Sequence, residues 1–400
     1  MDSIFCYRHP ETAAAQAGPL QGLRLAIQPN LSVAGWPTDA GSRALAHFTA
    51  LEDATLVERL RQAGVGLCGS IRMSEFGFGL AGSQAGAALQ QQAADAELVL
   101  DLMGESRLAA ARAAVCGFKP SYGLVSRFGL IGLIPSMECC GLLSGSPNTI
   151  REMLKRIAGP DERDFSLPDE PVPDFSPPTI APPTTTIGVI AEAQNALPAE
   201  EQAQFRAALD ELNRAGFNLR ELSLPDFELF SLVHRIVGSV EASSCAGRYD
   251  SVRYGERAPG ARNWNEMYRL SRGAAFGLLV KSYLFQGAFF QFERYDAYED
   301  ACRLRARLVA DMQRLTGQVD FLVLPVAAGA AARAPEALAE HYAQFATTLF
   351  ANVTGQPALY LPPPSGAAQA GVQLAGPRLS DARLLALGEY LVNSRRRGNP

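Results

Sequence analysis

Lysine is nearly absent from this chain. Of its 36 basic residues only Lys119, Lys155 and Lys281 are lysines, so chemistry that needs a neutral amine as base has three candidates. The four histidines, His9, His47, His234 and His341, show no paired spacing with a cysteine or carboxylate. Seven cysteines, an odd number, lie scattered without a C-x-x-C pair, which fits reduced thiols in a cytoplasm better than a disulfide framework or a zinc site. Adjacent Cys139 and Cys140 read as small apolar residues in a packed turn. Long hydrophobic runs are missing too: Phe321 to Ala332 is the longest, is interrupted by Pro325 and is too short to span a bilayer. Residues 1–17 carry Asp2 and no apolar stretch, so a signal peptide is not expected. The net charge of −5 gives no long-range attraction to nucleic acid, and the chain alone is not expected to bind it. Arg395, Arg396 and Arg397 read as a solvated tail. No metal or cofactor is called for.

What is present is an ordinary folding composition, 48% hydrophobic and 19% charged, at a length that calls for one large α/β domain or two smaller ones. The periodicity predicts a strand over Leu23–Ile27, an amphipathic helix over Asp53–Ala63 closed by Gly64, and a buried strand over Val65–Cys68. A helix is predicted over Ala87–Leu100 and an amphipathic one over residues 149–157. After a Pro-rich stretch, residues 165–186, come a strand at Ile187–Ile190 and a helix at Ala199–Ala215. Ser271–Arg314 reads as largely helical, Phe321–Pro325 as a core strand, Phe345–Val353 as a helix, and Ser380–Val392 as a helix capped by Ser380. The alternation favours a sheet covered on both faces, in an N-terminal half (1–164), a connection (165–186) and a C-terminal half (187–400).

Several strings then occur together. They are Asp53-Ala54-Thr55, Met73 to Gly79, Gly117-Phe-Lys-Pro-Ser-Tyr-Gly-Leu-Val-Ser-Arg-Phe-Gly-Leu-Ile131, Ala158 to Asp164 and Glu241 to Ser244. Further on stand Arg248 to Gly255, Tyr295 to Tyr298, Ala351 to Pro357 and Gly371 to Gly376. In this order the chain resembles the amidase signature family from about Ile4 to Val392. The Arg248–Gly255 segment narrows the resemblance to the A subunits of glutamine-dependent aspartyl/glutamyl-tRNA amidotransferases. The resemblance implies the amidase signature fold, an α/β architecture with a mixed twisted sheet under helices on both faces. It also implies a Ser–cis-Ser–Lys arrangement in which a serine attacks an amide carbonyl, a second serine relays its proton and a neutral lysine is the base.

At the positions that the resemblance points to, other residues stand. Gln28, in Ala26-Ile27-Gln28-Pro29-Asn30, takes the place of the lysine. The segment between Gly79 and Asp101 is shorter than the family's serine loop and holds Ser83 alone. Glu105, in Asp101-Leu-Met-Gly-Glu105-Ser-Arg107, falls on the nucleophile, with Ser106 one residue later. For the glutamine pocket, the family's aspartate aligns with Phe345 and its arginine with Ala306, between Arg305 and Arg307; one helical step turns a side chain by about 100°, so neither neighbour substitutes by default. Lys119 reads as structural, and Lys155 and Lys281 as solvent-facing charges. The expectation is therefore a catalytically inactive member, serving as a binding or structural subunit beside a B-type amidotransferase subunit or an A-type paralogue. The alternative is a divergent amidase or glutaminase that supplies ammonia through Ser106 or Cys116, although Cys116 reads as buried and apolar.

Overall fold

Short apolar runs become strands, and the amphipathic stretches between them become the helices that cover those strands. The computed structural model describes residues 3–9, 17–326, 337–364 and 370–397. In its first part β1 (Phe5–Arg8), β2 (Arg24–Ile27), α1 (Thr55–Gln62), β3 (Gly66–Ile71), α2 (Ala87–Gln90) and β4 (Ala96–Asp101) follow in chain order. Next come α3 (Glu105–Ala113), β5 (Cys116–Lys119), β6 (Cys139–Ser144) and α4 (Pro147–Ile157). Beyond the Pro-rich stretch are β7 (Thr186–Ile190), α5 (Ala191–Asn195), α6 (Ala199–Arg214), β8 (Asn218–Leu222), α7 (Leu229–Cys245), α8 (Trp264–Ala275), α9 (Leu278–Phe292) and α10 (Tyr295–Thr316). The chain finishes with β9 (Phe321–Pro325), α11 (Leu338–Ala343), α12 (Leu349–Thr354), β10 (Ala358–Leu361), β11 (Val372–Ala375) and α13 (Asp381–Arg397).

The strands form one mixed sheet in the order β1-β3-β2-β4-β6-β5-β10-β11-β9-β7-β8. Pairings of β2 with β3 and β4, and of β7 with β8 and β9, are parallel; the central ones are antiparallel. Because β5 pairs with β10, strands from before and after the Pro-rich stretch share the sheet. Alternate residues along each strand feed two cores. Ala26, Val99, Leu322 and Leu324 join the helices α3, α7, α9, α10 and α12 on one face. Leu25, Leu98, Phe321 and Val323 join α1, α4, α6 and α13 on the other. The expected α/β sheet with two covered faces is thus the observed architecture.

Several local expectations need correction. Residues 87–100 are not one helix: a single turn, α2, gives way to β4, because Leu98 and Val99 pack into opposite cores while the backbone pairs with β2 and β6. Cys139 and Cys140 lie in strand β6 rather than in a turn. Ser380 stands at the N-cap position of α13, its carbonyl accepting from Leu384 N–H at 2.9 Å, but its hydroxyl donates back to the Pro377 carbonyl at 2.6 Å instead of capping a helix N–H. Arg395 is no solvated tail, since it donates to Glu211 at 2.8 Å and to the Pro362 carbonyl at 2.7 Å. Residues 327–332 of the longest apolar run lie outside the described residues. No helix among the described residues is long and apolar enough to cross a membrane.

Candidate functional site

The sheet delivers its chemistry where β4 ends and α3 begins. Leu102, Met103 and Gly104 form the turn between them, and Gly104 has φ +123°, with Thr348 Oγ1 only 2.2 Å from where a Cβ would stand. Only glycine fits there. The turn aims successive backbone N–H groups at one point, and the carboxylate of Glu105 occupies it. Its Oε2 accepts from the N–H groups of Leu102 (2.8 Å), Met103 (2.7 Å) and Gly104 (3.1 Å), and its Oε1 accepts from Gly79 N–H (3.1 Å). These donors come from the loop leading into α3 and from Gly79, and the dipole of α3 adds to them, since Glu105 is its first residue. Burial, and after it the nearby Asp101 charge, pushes the Glu105 carboxyl up to about 7.

Beside it a second carboxylate is held fully ionised. Burial opposes the charge on Asp101, but the Arg107 guanidinium and the Ser106 hydroxyl keep it below the usual carboxylate range. Arg107 pairs with Asp101 at 3.1 Å and also donates to Thr348 O (2.8 Å), Gln373 Oε1 (2.6 Å) and Asn352 Oδ1 (2.7 Å). Asn352 Nδ2 returns to Asp101 Oδ1 at 2.9 Å and to Met137 O at 3.1 Å. This network ties α3, α12 and β11 into one unit around the turn. Ser106 is fully buried and its hydroxyl donates to Asp101, so it is spent inside the network.

The other residues singled out from the sequence lie in several places. Gln28 is buried at the end of β2, its Oε1 accepting from Leu100 N–H at 2.8 Å, which stitches β2 to β4. Lys119 is buried at the end of β5; its Nζ donates to Pro120 O at 2.8 Å, and burial lowers its pKa. Lys155 is exposed, while Lys281 is half-buried and donates to Gly273 O. Cys116 lies within β5, where burial pushes its thiol up to about 12, far from a thiolate at neutral pH. Phe345 is a core side chain packed 5.6 Å from His341, ring centre to ring centre. Ala306 faces outward on α10. Its neighbour Arg305 turns inward and donates to Ser136 Oγ (2.7 Å), Ser136 O (2.8 Å) and Val353 O (3.1 Å), while Arg307 pairs with Asp226 at the surface.

Sequence reasoning missed the group behind the turn. His234 Nε2 faces Leu102 O at 2.7 Å, so that nitrogen carries the proton, and Nδ1 meets Tyr342 OH at 3.0 Å. Tyr283 OH stands 3.0 Å from Tyr342 OH. Burial brings His234 down to about 3, and the ring stays neutral as a positioning group for the Leu102 peptide. Also missed was Gly79, whose left-handed φ of +79° and contact with His341 exclude a side chain. The Phe76-Gly-Phe-Gly79 string was the available signal; nothing in the sequence tied His234 to the turn. Among the described residues there is no cluster of three or more His, Cys, Asp or Glu side chains that could hold a metal ion.

Comparison with known proteins adds the last observation. The model of the Amidase family matches residues 7–100 and 101–385. The chain is 33% identical to the A subunit of the glutamyl-tRNA(Gln) amidotransferase from Natronomonas pharaonis, over 94% of its own length and 96% of that protein's. It is 32% identical to the protein of the same name from Deinococcus radiodurans, over 96% and 88% of the two chains. In fold it matches the crystal structure of the A subunit of the Thermotoga maritima glutamyl-tRNA(Gln) amidotransferase with a TM-score of 0.79, at 21% identity and covering 96% and 85% of the two chains. The expectation of a catalytically inactive member is overturned here. The relatives matched end to end carry the amidotransferase name, and nothing in the comparisons marks an inactive branch.

Proposed function

Because the chain belongs to the amidase family, we propose that it works as the A-type subunit of an amidotransferase, releasing carboxamide nitrogen for transfer within an assembly with a second, B-type subunit. The observation that carries this reading is the match to glutamyl-tRNA(Gln) amidotransferase A subunits across 94% of the chain and 96% of the relative. In this reading Glu105, at the position that the resemblance gives to the nucleophile, performs the proton transfers. A carboxyl that titrates near neutrality suits a general acid–base.

The carboxylate takes a proton from water as the water oxygen adds to the carboxamide carbon. It then returns that proton to the departing nitrogen, leaving a carboxylic acid and ammonia. As Glu105 turns toward the water, the N–H groups of Leu102, Met103 and Gly104 come free for the oxygen of the tetrahedral intermediate. Glu105 is 2% exposed, so the reading gives the B-type partner the task of opening the segment around Gly79.

The test is ammonia release from glutamine and asparagine, by the chain alone and with a B-type subunit. Release by the complex, reduced about a hundredfold or more in folded Glu105→Gln, is expected. No release by the wild-type complex, or equal release by the variant, refutes the reading.

A further inference from the structure

Residues 127–138 and 245–254, far apart in the chain, close with the loop around Phe48 on a cavity of about 190 Å³. A sphere of that volume is about 7 Å across, so one small ligand reaches every wall. Part of the wall is aromatic: Phe48 meets Tyr254 edge-on at 5.8 Å between ring centres, and Tyr249 stands 6.3 Å from Tyr254. Two guanidinium side chains, Arg127 and Arg248, line it as well. Arg127 pairs with Glu138 through Nη2, but its Nε is buried and has no partner. A buried N–H without an acceptor costs free energy that a bound acceptor restores. Arg248 is exposed and donates through Nε to Cys245 O at 3.0 Å, which leaves its outer N–H groups unused.

Glu138 is the one acid among the lining residues, and both its oxygens are engaged. Oε1 accepts from Arg127, and Oε2 from the N–H groups of Leu133 (2.9 Å) and Ile134 (2.8 Å). Other carboxylates on or next to these segments are also committed: Glu241 to Ser136, Asp250 to the N–H groups of Val252 and Arg253, and Glu256 to His47. The lining therefore carries a single positive charge in excess, which a monoanion neutralises. A phosphate dianion would add a second negative charge beside Glu138 with nothing to balance it. The volume is below that of a drug-sized pocket and close to the roughly 150 Å³ that encloses one benzene. We propose that this cavity binds a small aromatic monocarboxylate, with its ring against Phe48, Tyr249 and Tyr254 and its carboxylate between Arg127 and Arg248. Neither Glu105 nor the turn around it lines the cavity, so this binding is independent of ammonia release.

The test titrates benzoate, its neutral analogue benzamide, and inorganic phosphate onto the full chain by calorimetry. Benzoate is expected to bind with a Kd of about 1 mM or tighter, at least about tenfold tighter than benzamide or phosphate. Arg248→Gln should weaken benzoate about tenfold while leaving benzamide unchanged; Arg248 is exposed, and circular dichroism checks that the variant folds as the wild type does. Equal binding of benzoate and benzamide removes the role of the guanidinium groups and overturns the proposal, as does no binding of benzoate. Tighter binding of phosphate overturns it too, and displacement of benzoate by glutamine assigns the cavity to a different ligand with the same result.

Discussion

Glu97 offers a clean carboxyl titration, because the groups that shift it are burial and backbone N–H donors alone. Its carboxylate accepts from Gly86 N–H at 2.6 Å, Ala88 N–H at 2.9 Å and Leu89 N–H at 3.3 Å, closing the start of α2, yet burial wins and raises it from 4.5 to about 7. A raised carboxyl keeps its proton in the fold where the unfolded chain has given it up. Stability from this group is therefore full below pH 4.5, falls as pH rises through about 7, and is constant above. The shift corresponds to about 3 kcal/mol, or a few degrees of melting temperature in a chain of 400 residues. Glu97→Gln removes the titration while keeping the shape. Urea unfolding of both proteins from pH 4.5 to 8 should show the variant gaining about 3 kcal/mol on the wild type across that window, whatever the constant offset from its weaker acceptor. Parallel stability curves would refute the claim that burial, rather than the N–H donors, decides the charge at this site.

Arg107→Ala should destabilise the fold by about 3–5 kcal/mol in the same unfolding assay, because Asp101 would remain buried without its guanidinium partner. Gly104→Ala, which sets a Cβ against Thr348 at a left-handed φ, should lower the melting temperature and reduce ammonia release together. In thiol labelling of the native chain at pH 8, exposed Cys6 should react first, and Cys116 and Cys139, each with its thiol pushed up to about 12, should stay unlabelled until the chain unfolds.

The sequence announced elements wherever pattern and burial agree. β9 and α6 fall where the apolar run and the helical period place them, and the long helical stretch around Ser271–Arg314 resolves into α8, α9 and α10. Ala87–Leu100 misled because its alanines and leucines favour a helix locally, whereas pairing with β2 and β6 decides the conformation of Ala96–Asp101. Hidden inside that strand is Glu97, a charged residue whose value lies in reaching back to α2, which periodicity cannot show. At the site, the sequence singled out Gln28, Glu105, Phe345 and Ala306 by position. What each does was not legible, since Gln28 joins two strands, Ser106 serves Asp101, and Glu105 fills a ring of N–H groups supplied partly by Gly79, distant in sequence. The inward turn of Arg305 in place of Ala306 depended on the placement of α10 against Ser136, a tertiary fact.

The most direct test of Glu105 as the proposed acid–base of an A-type subunit is the pH profile of ammonia release from glutamine by the chain together with a B-type subunit. Release is expected to rise with pH as Glu105 ionises, and to be about a hundredfold or more lower and without that inflection in Glu105→Gln. Release that is absent in the wild-type complex, or that keeps its rate and its inflection in the variant, would contradict it.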